Sequence, residues 1–220
     1  MHVIGTGRAG GAIRARLSER DLQVTDGRTP PPTAQLVLVC VPDSVIADVA
    51  AAIRPGHWIA HVSGATKLGA LDPHRRRFSV HPLQTFVRER GAEQLDGAWG
   101  AISAETDDAL ARAGWLAETL GLRPFEVADA DRTLDHAAAV IGGNFLVTLH
   151  DVAARLLAEV GAPPEAIVPL MARTIENRFE LTGPIARGDW STVEAHLAAL
   201  AERDPDLVPL YRALAEATRP

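Results

Sequence analysis

Short apolar runs alternate with longer mixed stretches through the first half of the chain: Val3-Ile4, Gln23 to Asp26, Leu36 to Val41, His57 to Val62, Phe78 to Val80 and Trp99 to Ser103. Runs of this kind read as buried strands, and the segments between them as crossovers, so a mainly parallel sheet is expected. Ile13 and Leu17, with Ala12 and Ala15 between them, place a helix directly after the first strand. Val45, Ile46, Val49 and Ile53 place another after the third, with Asp43 or Ser44 to cap it. A third helix spans about residues 107–120, with Thr106 as its cap, an acidic first turn and Gly121 as its stop. The link Gly27 to Gln35 holds three consecutive prolines, which predicts a stiff crossover in place of a helix.

After Asp129 only the helical period remains. Leu134, Ala138, Ile141, Phe145, Leu149, Val152, Leu156 and Val160 form one stripe, predicting a single helix of about 30 residues. Gly161-Ala162-Pro163-Pro164 ends it, and Pro169 is expected to kink the next helix early. Thr182-Gly183-Pro184 breaks the pattern again, Ser191-Thr192-Val193-Glu194 predicts a capping box, and a last short helix covers about residues 206–217. The chain thus divides into an α/β domain, residues 1–125, and an all-α domain, residues 126–220.

The densest chemical signal lies where the first strand hands over to the first helix: Gly5-Thr6-Gly7-Arg8-Ala9-Gly10. Gly5 permits a tight turn, Gly7 lets a pyrophosphate approach the backbone, and Gly10 lets the helix pack close to the strand. Thr6, Arg8 and Ala9 would donate mainly through main-chain N–H groups at the positive end of the helix dipole. A dinucleotide is therefore the expected ligand. Its type should be read at the end of the second strand, where an acid binds a ribose 2′-hydroxyl and a cation binds a 2′-phosphate. Asp26 and Arg28-Thr29 are both present there, and the charged fork and hydroxyl of the latter favour NADP over NAD.

Composition narrows the partners. The 220 residues are 47% apolar with a net charge of −6, and the one basic run, Arg75-Arg76-Arg77, has no interleaved aromatics. No nucleic-acid partner is expected. No window is read as approaching the roughly 20 apolar residues of a membrane span, and no charged leader precedes the first strand, so a cytoplasmic protein is expected. Cys40, the only cysteine, sits in an apolar run and is expected to be a buried reduced thiol. The acidic and histidine residues lack a compact ligand spacing, so no metal is expected.

Further polar groups gather at the predicted strand ends. The third ends at Val41-Pro42, which would line the adenosine side; the fourth leads to Ser63, the fifth to His81-Pro82. Ser63 and His81 could hydrogen-bond a nicotinamide amide or a substrate hydroxyl, and His81 could exchange the proton that accompanies hydride transfer. A histidine bonded to turn backbone is an equal reading of His81, and the structural reading is preferred for His61. In the long helix His136, Val140 and Asn144 share a face beside small residues, which suits either a ligand or helix packing. Arg187 could meet an anionic substrate or form an ion pair, and Asp189 could cap the helix near Ser191.

Taken in order, these motifs resemble the Rossmann-like oxidoreductases that carry a helical C-terminal domain of unknown function, relatives of 6-phosphogluconate dehydrogenase, ketopantoate reductase, pyrroline-5-carboxylate reductase and prephenate dehydrogenase. The resemblance rests on Gly5 to Gly10, Val41-Pro42-Asp43, Ser63-Gly64-Ala65, His81 to Phe86, His136 to Ala139 with Asn144, and Thr182 to Asp189. It implies an NADP-type domain followed by a 6-phosphogluconate-dehydrogenase-like helical domain that forms a homodimer, with the active site between the two. His81 or His136 would be the acid/base, while Ser63 and Asn144 would orient nicotinamide or substrate. The implied reaction moves hydride to or from a small carboxylate-bearing carbonyl, imine or hydroxy compound. The alternative is an NADP-binding regulatory protein without turnover, because His136 stands where some relatives carry a lysine.

Overall fold

The six apolar runs, joined by residues 123–126, which carry no comparable run, form one sheet of seven strands in the order β2-β1-β3-β4-β5-β6-β7. A computed structural model describes residues 1–219. The strands are β1 (His2–Ile4), β2 (Thr25–Asp26), β3 (Leu36–Val39), β4 (Trp58–His61), β5 (Arg77–Leu83), β6 (Trp99–Ala104) and β7 (Arg123–Glu126). All neighbouring pairs are parallel except β5 with β6. β3 is buried throughout its length, as a strand covered on both faces must be. The sheet's two faces pack into separate cores. One holds Val3, Ile13, Leu17, Leu38, Phe78 and Leu116; the other holds Ile4, Val37, Val39, Ile46, Ile59 and Leu71.

Two helices of this part follow the sequence signals closely. α1 (Arg8–Glu19) starts from Gly7, and α3 (Asp107–Thr119) is capped by the Thr106 hydroxyl, which accepts the Ala109 amide at 3.3 Å. Gly121, with φ of 85°, supplies the left-handed turn after α3. No helix interrupts residues 27–35. α2 (Ile46–Ala51) is shorter than its apolar spacing suggests, because Asp43–Val45 form a 3-10 turn before it. Neither Asp43 nor Ser44 caps it; the Asp43 carboxylate instead accepts from the Ser63 hydroxyl, and Val45 stays exposed.

Helices alone follow the last strand: α4 (Arg132–Gly142), α5 (Asn144–Glu159), α6 (Ile167–Glu176), α7 (Gly183–Ala186), α8 (Trp190–Arg203) and α9 (Val208–Ala217). The predicted single helix of about 30 residues is therefore two, parted at Gly143 (φ −110°, ψ −72°). A residue without Cβ tolerates such a break. Pro169 does not interrupt α6: it is the third residue, where its missing N–H would have had no helical partner. The predicted capping box at Ser191 is displaced too. Asp189 caps α8, accepting the Thr192 amide at 3.2 Å and the Ser191 and Thr192 hydroxyls at 2.8 and 2.7 Å.

Residues Met1–Leu149 form one compact unit, and the second begins at His150, so the division falls within α5. Within the second unit the His196 ring meets the Tyr211 hydroxyl at 2.7 Å, tying α8 to α9. The stretch Arg132–Glu159 is long and apolar enough, by length and composition, to cross a membrane, with a mean hydropathy of 1.4 over 18 residues. Alanines 137–139 with Ile141 and Phe145 to Leu149 raise the average past the polar Asn144.

Candidate functional site

Two clusters of polar groups lie at the carboxyl ends of the parallel strands, where open α/β sheets place ligands. The first is the glycine turn. At Gly5 φ is 94°, and a Cβ there would stand 2.3 Å from the Cys40 carbonyl oxygen. At Gly10 it would stand 2.0 Å from the Gly5 carbonyl oxygen and 2.9 Å from Cys40 Cβ. Only glycine fits either position. Gly7 has nothing within 4 Å of its Cβ direction, which leaves open space over the start of α1. The first amides of α1 have no intrahelical partner and face that space, while Thr6, Gly7 and Arg8 are exposed and Ala9 is partly covered. Burial pushes the Cys40 thiol up to about 12, leaving it inert.

A cavity of 570 Å³ adjoins this turn, lined by Gly5, Thr6, Asp26, Arg28, Val41 and neighbours. The Asp26 carboxylate faces Arg14 at 4.0 Å, whereas Arg28 has no carboxylate within that distance among the described residues. Asp26 thus has a basic neighbour at this edge, while Arg28 has no carboxylate partner among the described residues. Thr29 lines a different, larger cavity of 960 Å³ that opens at the amino ends of β3 and β4 and gathers Arg54, Arg76 and Arg112. Pro42 lies outside both linings and starts the 3-10 turn before α2.

The second cluster is built by β4, β5 and α4. Alternation along β5 sends Phe78 and Val80 into one core, and Arg77, Ser79 and His81 to the opposite face. Cross-strand register then aligns His61, Ser79 and Ser103 as a polar row across β4, β5 and β6. Arg132, the first residue of α4 and 1% exposed, lies on this row. Its Nε donates to the Thr66 carbonyl at 2.8 Å and Nη1 to the Ser103 hydroxyl at 2.9 Å and the Ser79 hydroxyl, while Nη2 donates to the Ser63 carbonyl.

One turn along α4, Asp135 and His136 reach His81. His81 Nδ1 lies 3.3 Å from Asp135 Oδ2, and both side chains are 12% exposed. An ionised carboxylate only accepts, so His81 donates through Nδ1 and the lone pair of its neutral ring is on Nε2. The His81 and His136 rings meet edge to face with centroids 5.8 Å apart. Gly64 lies against both: a Cβ there would be 2.6 Å from His136 Cδ2 and 2.8 Å from His81 Nε2. Burial holds the His81 imidazolium below its ordinary range; Asp135 pulls the other way, and the charges of His136 and Arg132 add to the lowering. His81 is accordingly a neutral imidazole at pH 7, oriented by a carboxylate.

The sequence-derived site residues separate into groups. His81 and His136 come together. Ser63 adjoins them in the chain, but its hydroxyl is committed, donating to Asp43 Oδ2 at 2.7 Å and accepting the Thr66 amide at 3.0 Å. Asn144 opens α5 after the Gly143 break, exposed and without a side-chain hydrogen bond among the described residues, so it does not continue the face of His136 and Val140 as one helix would. Arg187 is in the second unit, exposed and without an ion pair among the described residues. Asp135 and Arg132 carry the geometry without any signal read from the sequence, and Gly64 carries it from within the Ser63-Gly64-Ala65 motif. A carboxylate four residues before Ala139 in a helix already carrying His136 was the one available signal.

The fold and the glycine turn define a Rossmann-like protein with a helical C-terminal part, and residues 2–85 match the Rossmann-like domain. Residues 99–218, more than half of the chain, match the domain of unknown function DUF2520, and the chain belongs to that family. No curated protein matches the sequence. Among solved structures, a protein provisionally named an NADP oxidoreductase, from Bacteroides fragilis, superposes with a TM-score of 0.81 at 23% identity, covering 98% of this chain and 96% of that one. Protein TM1727 from Thermotoga maritima gives 0.75 at 26% identity, covering 98% of both chains. The 1-pyrroline-5-carboxylate reductase of Streptococcus pyogenes gives 0.65 at 15% identity, covering 99% of this chain and 95% of that one.

Proposed function

We propose that the protein is an NADP-dependent oxidoreductase that moves hydride to or from a small carboxylate-bearing carbonyl, imine or hydroxy compound. The observation that carries this reading is the pairing of an open glycine turn beside an uncompensated Arg28 with a neutral, carboxylate-oriented His81 at the same sheet edge. The glycine turn fits a dinucleotide because Gly7 leaves free the volume that a Cβ would take. Backbone amides of Thr6, Gly7, Arg8 and Ala9 would hold the pyrophosphate, Val41 would flank the adenosine and Arg28 would take the 2′-phosphate, whereas Thr29 and Pro42 lie outside the lining of that cavity. Bound NADP supplies or accepts the hydride. The names of the Bacteroides and Streptococcus proteins support this cofactor and this substrate class.

His81 Nε2 takes the proton from a substrate hydroxyl or amine, and its imidazolium returns it in the reverse direction. Asp135 fixes the tautomer and ring orientation throughout, and stabilises the imidazolium when it forms. His136 packs against the same ring and is the second candidate for proton exchange. Ser63 acts by holding the turn that carries Gly64. Asn144 and Arg187, exposed and uncommitted, are the proposed substrate contacts, Arg187 for its carboxylate.

The working form is a homodimer through the helical part. Leu134, Ile141, Phe145 and Val147 are 73, 63, 53 and 58% exposed on α4 and α5, more than a monomer's scattered surface apolar residues. A second copy is the fitting occupant rather than a bilayer, since Arg132 at the start of this stretch is hydrogen-bonded into the sheet. Sedimentation should give a dimer that Phe145→Glu dissociates; a monomeric wild type, or partition into vesicles, overturns this part.

Titration of NADPH and NADH by nicotinamide fluorescence tests the cofactor, and NADPH oxidation with 2-oxo acids and cyclic imine carboxylates tests turnover. NADPH should bind more tightly than NADH, and His81→Ala should lose turnover while keeping cofactor affinity. Affinities weaker than millimolar for both nucleotides would refute the reading. Tight NADPH binding without oxidation by any of these compounds favours a regulatory protein.

A further inference from the structure

Among the described residues Arg132, at 1%, is the least exposed arginine, lysine, aspartate or glutamate, and no carboxylate lies within ion-pair distance of it. A buried cation without a direct counter-ion is costly, so the fold must hold it by other means. Four neutral acceptors do so: the Ser63 and Thr66 carbonyls and the Ser79 and Ser103 hydroxyls. They belong to three segments, namely the turn after β4, strand β5 and strand β6. A planar guanidinium with five donors can span such a set; a single ammonium cannot.

Position along α4 decides what this anchor does. Asp135 and His136 follow Arg132 by three and four residues, hence lie on the same helical face one turn along. These are the two groups that meet His81. The turn that Arg132 grips through Ser63 and Thr66 carries Gly64, which lies against both imidazoles with no room for a Cβ. One guanidinium therefore ties down both walls of the histidine pair, with no hydrogen bond to either ring among the described residues.

We propose that Arg132 is a positioning residue: its guanidinium fixes α4 and the Ser63–Thr66 turn in the one register that brings Asp135, His136 and Gly64 to His81. The proposal rests on the assignment of His81 to proton exchange only for its consequence in turnover; the geometry stands apart from that. The charged and titratable groups facing His81 are Asp135, His136 and Arg132 from α4 and His61 from β4. Arg132 repels the imidazolium form of His81, so loss of the cation moves the His81 midpoint upward.

The test is proton NMR of the His81 and His136 rings in the full chain without cofactor. Wild type should show cross-peaks between the two rings. Arg132→Lys keeps the charge and loses the fork, and should lose those cross-peaks while the melt stays cooperative. Arg132→Met should lose them and also raise the His81 midpoint. Should either variant unfold, Ser79→Ala and Ser103→Ala each remove one acceptor and should weaken the cross-peaks in part. Wild-type cross-peaks in Arg132→Lys, or in both serine variants where the arginine variants do not fold, overturn the proposal. With measurable NADPH oxidation, Arg132→Lys should lower kcat about 10²-fold, as a displacement of roughly 1 Å does, with NADPH Kd unchanged. A wild type that oxidises no NADPH would sink the proposed function and leave the NMR result to decide Arg132.

Discussion

His81 Nδ1 meets Asp135 Oδ2 at 3.3 Å across 54 residues of sequence, joining a strand of the sheet to the first helix beyond it. The carboxylate favours the imidazolium, and burial opposes it more strongly. Asp135→Asn should therefore move the His81 midpoint further down, which an NMR titration reads directly. Turnover should fall about 10²- to 10⁴-fold, the usual worth of a positioned acid/base, with NADPH affinity retained. An unchanged midpoint would show that the two groups are not coupled.

Gly64→Ala places a methyl within 2.8 Å of both imidazoles. Rings at the ends of side chains yield more readily than backbone, so the variant should fold with a melting temperature near wild type. The rings should nevertheless be displaced, costing about 10²-fold in kcat/KM. Large destabilisation together with full specific activity would contradict this.

Arg28→Ala removes the free cation at the end of β2 while leaving Asp26 with Arg14. One charge-assisted contact is worth about 1.5–3 kcal/mol, so NADPH should bind roughly 10- to 100-fold more weakly. NADH affinity should be unchanged. Equal losses for the two nucleotides would mean that Arg28 does not read the 2′-phosphate.

His61 is fully buried, with neither ring nitrogen partnered at hydrogen-bond geometry among the described residues. Burial, then the charges of Arg132 and His81, lower its midpoint from an ordinary 6.5 to about 3. The unfolded chain thus binds a proton that the folded chain refuses. The stability held by neutral His61 is fully present above pH 6.5 and lost as pH falls towards about 3. His61→Leu should flatten the fall in melting temperature between pH 7 and pH 5; parallel curves would assign that acid limb to other groups.

Local signals in the sequence carried much of the fold. Gly5 and Gly10 make the tight turn and the close packing that their spacing implies, because each depends on a neighbour a few residues or one strand away. Thr106 caps α3 and the prolines of residues 27–35 exclude a helix for equally local reasons. Where several local solutions competed, packing chose. Asp189 displaced Ser191 as the cap of α8, Gly143 parted the long helix, and Asp43 left α2 uncapped to hold Ser63.

The chemistry of the histidine site lay beyond that reach. His81 and His136 were visible as residues able to move protons, yet a sequence does not say which lone pair is free. That depends on Asp135 arriving from a helix, on Gly64 making room for two rings, and on Arg132 gripping three segments at once. The sequence by itself determined six of the seven strands, the glycine turn, the start of α1 and the ends of α3, since these follow from steric and hydrogen-bonding rules acting over a few residues. Only the tertiary structure decided which polar groups meet, because partners 54 and 66 residues apart find each other through the register of sheet and helix.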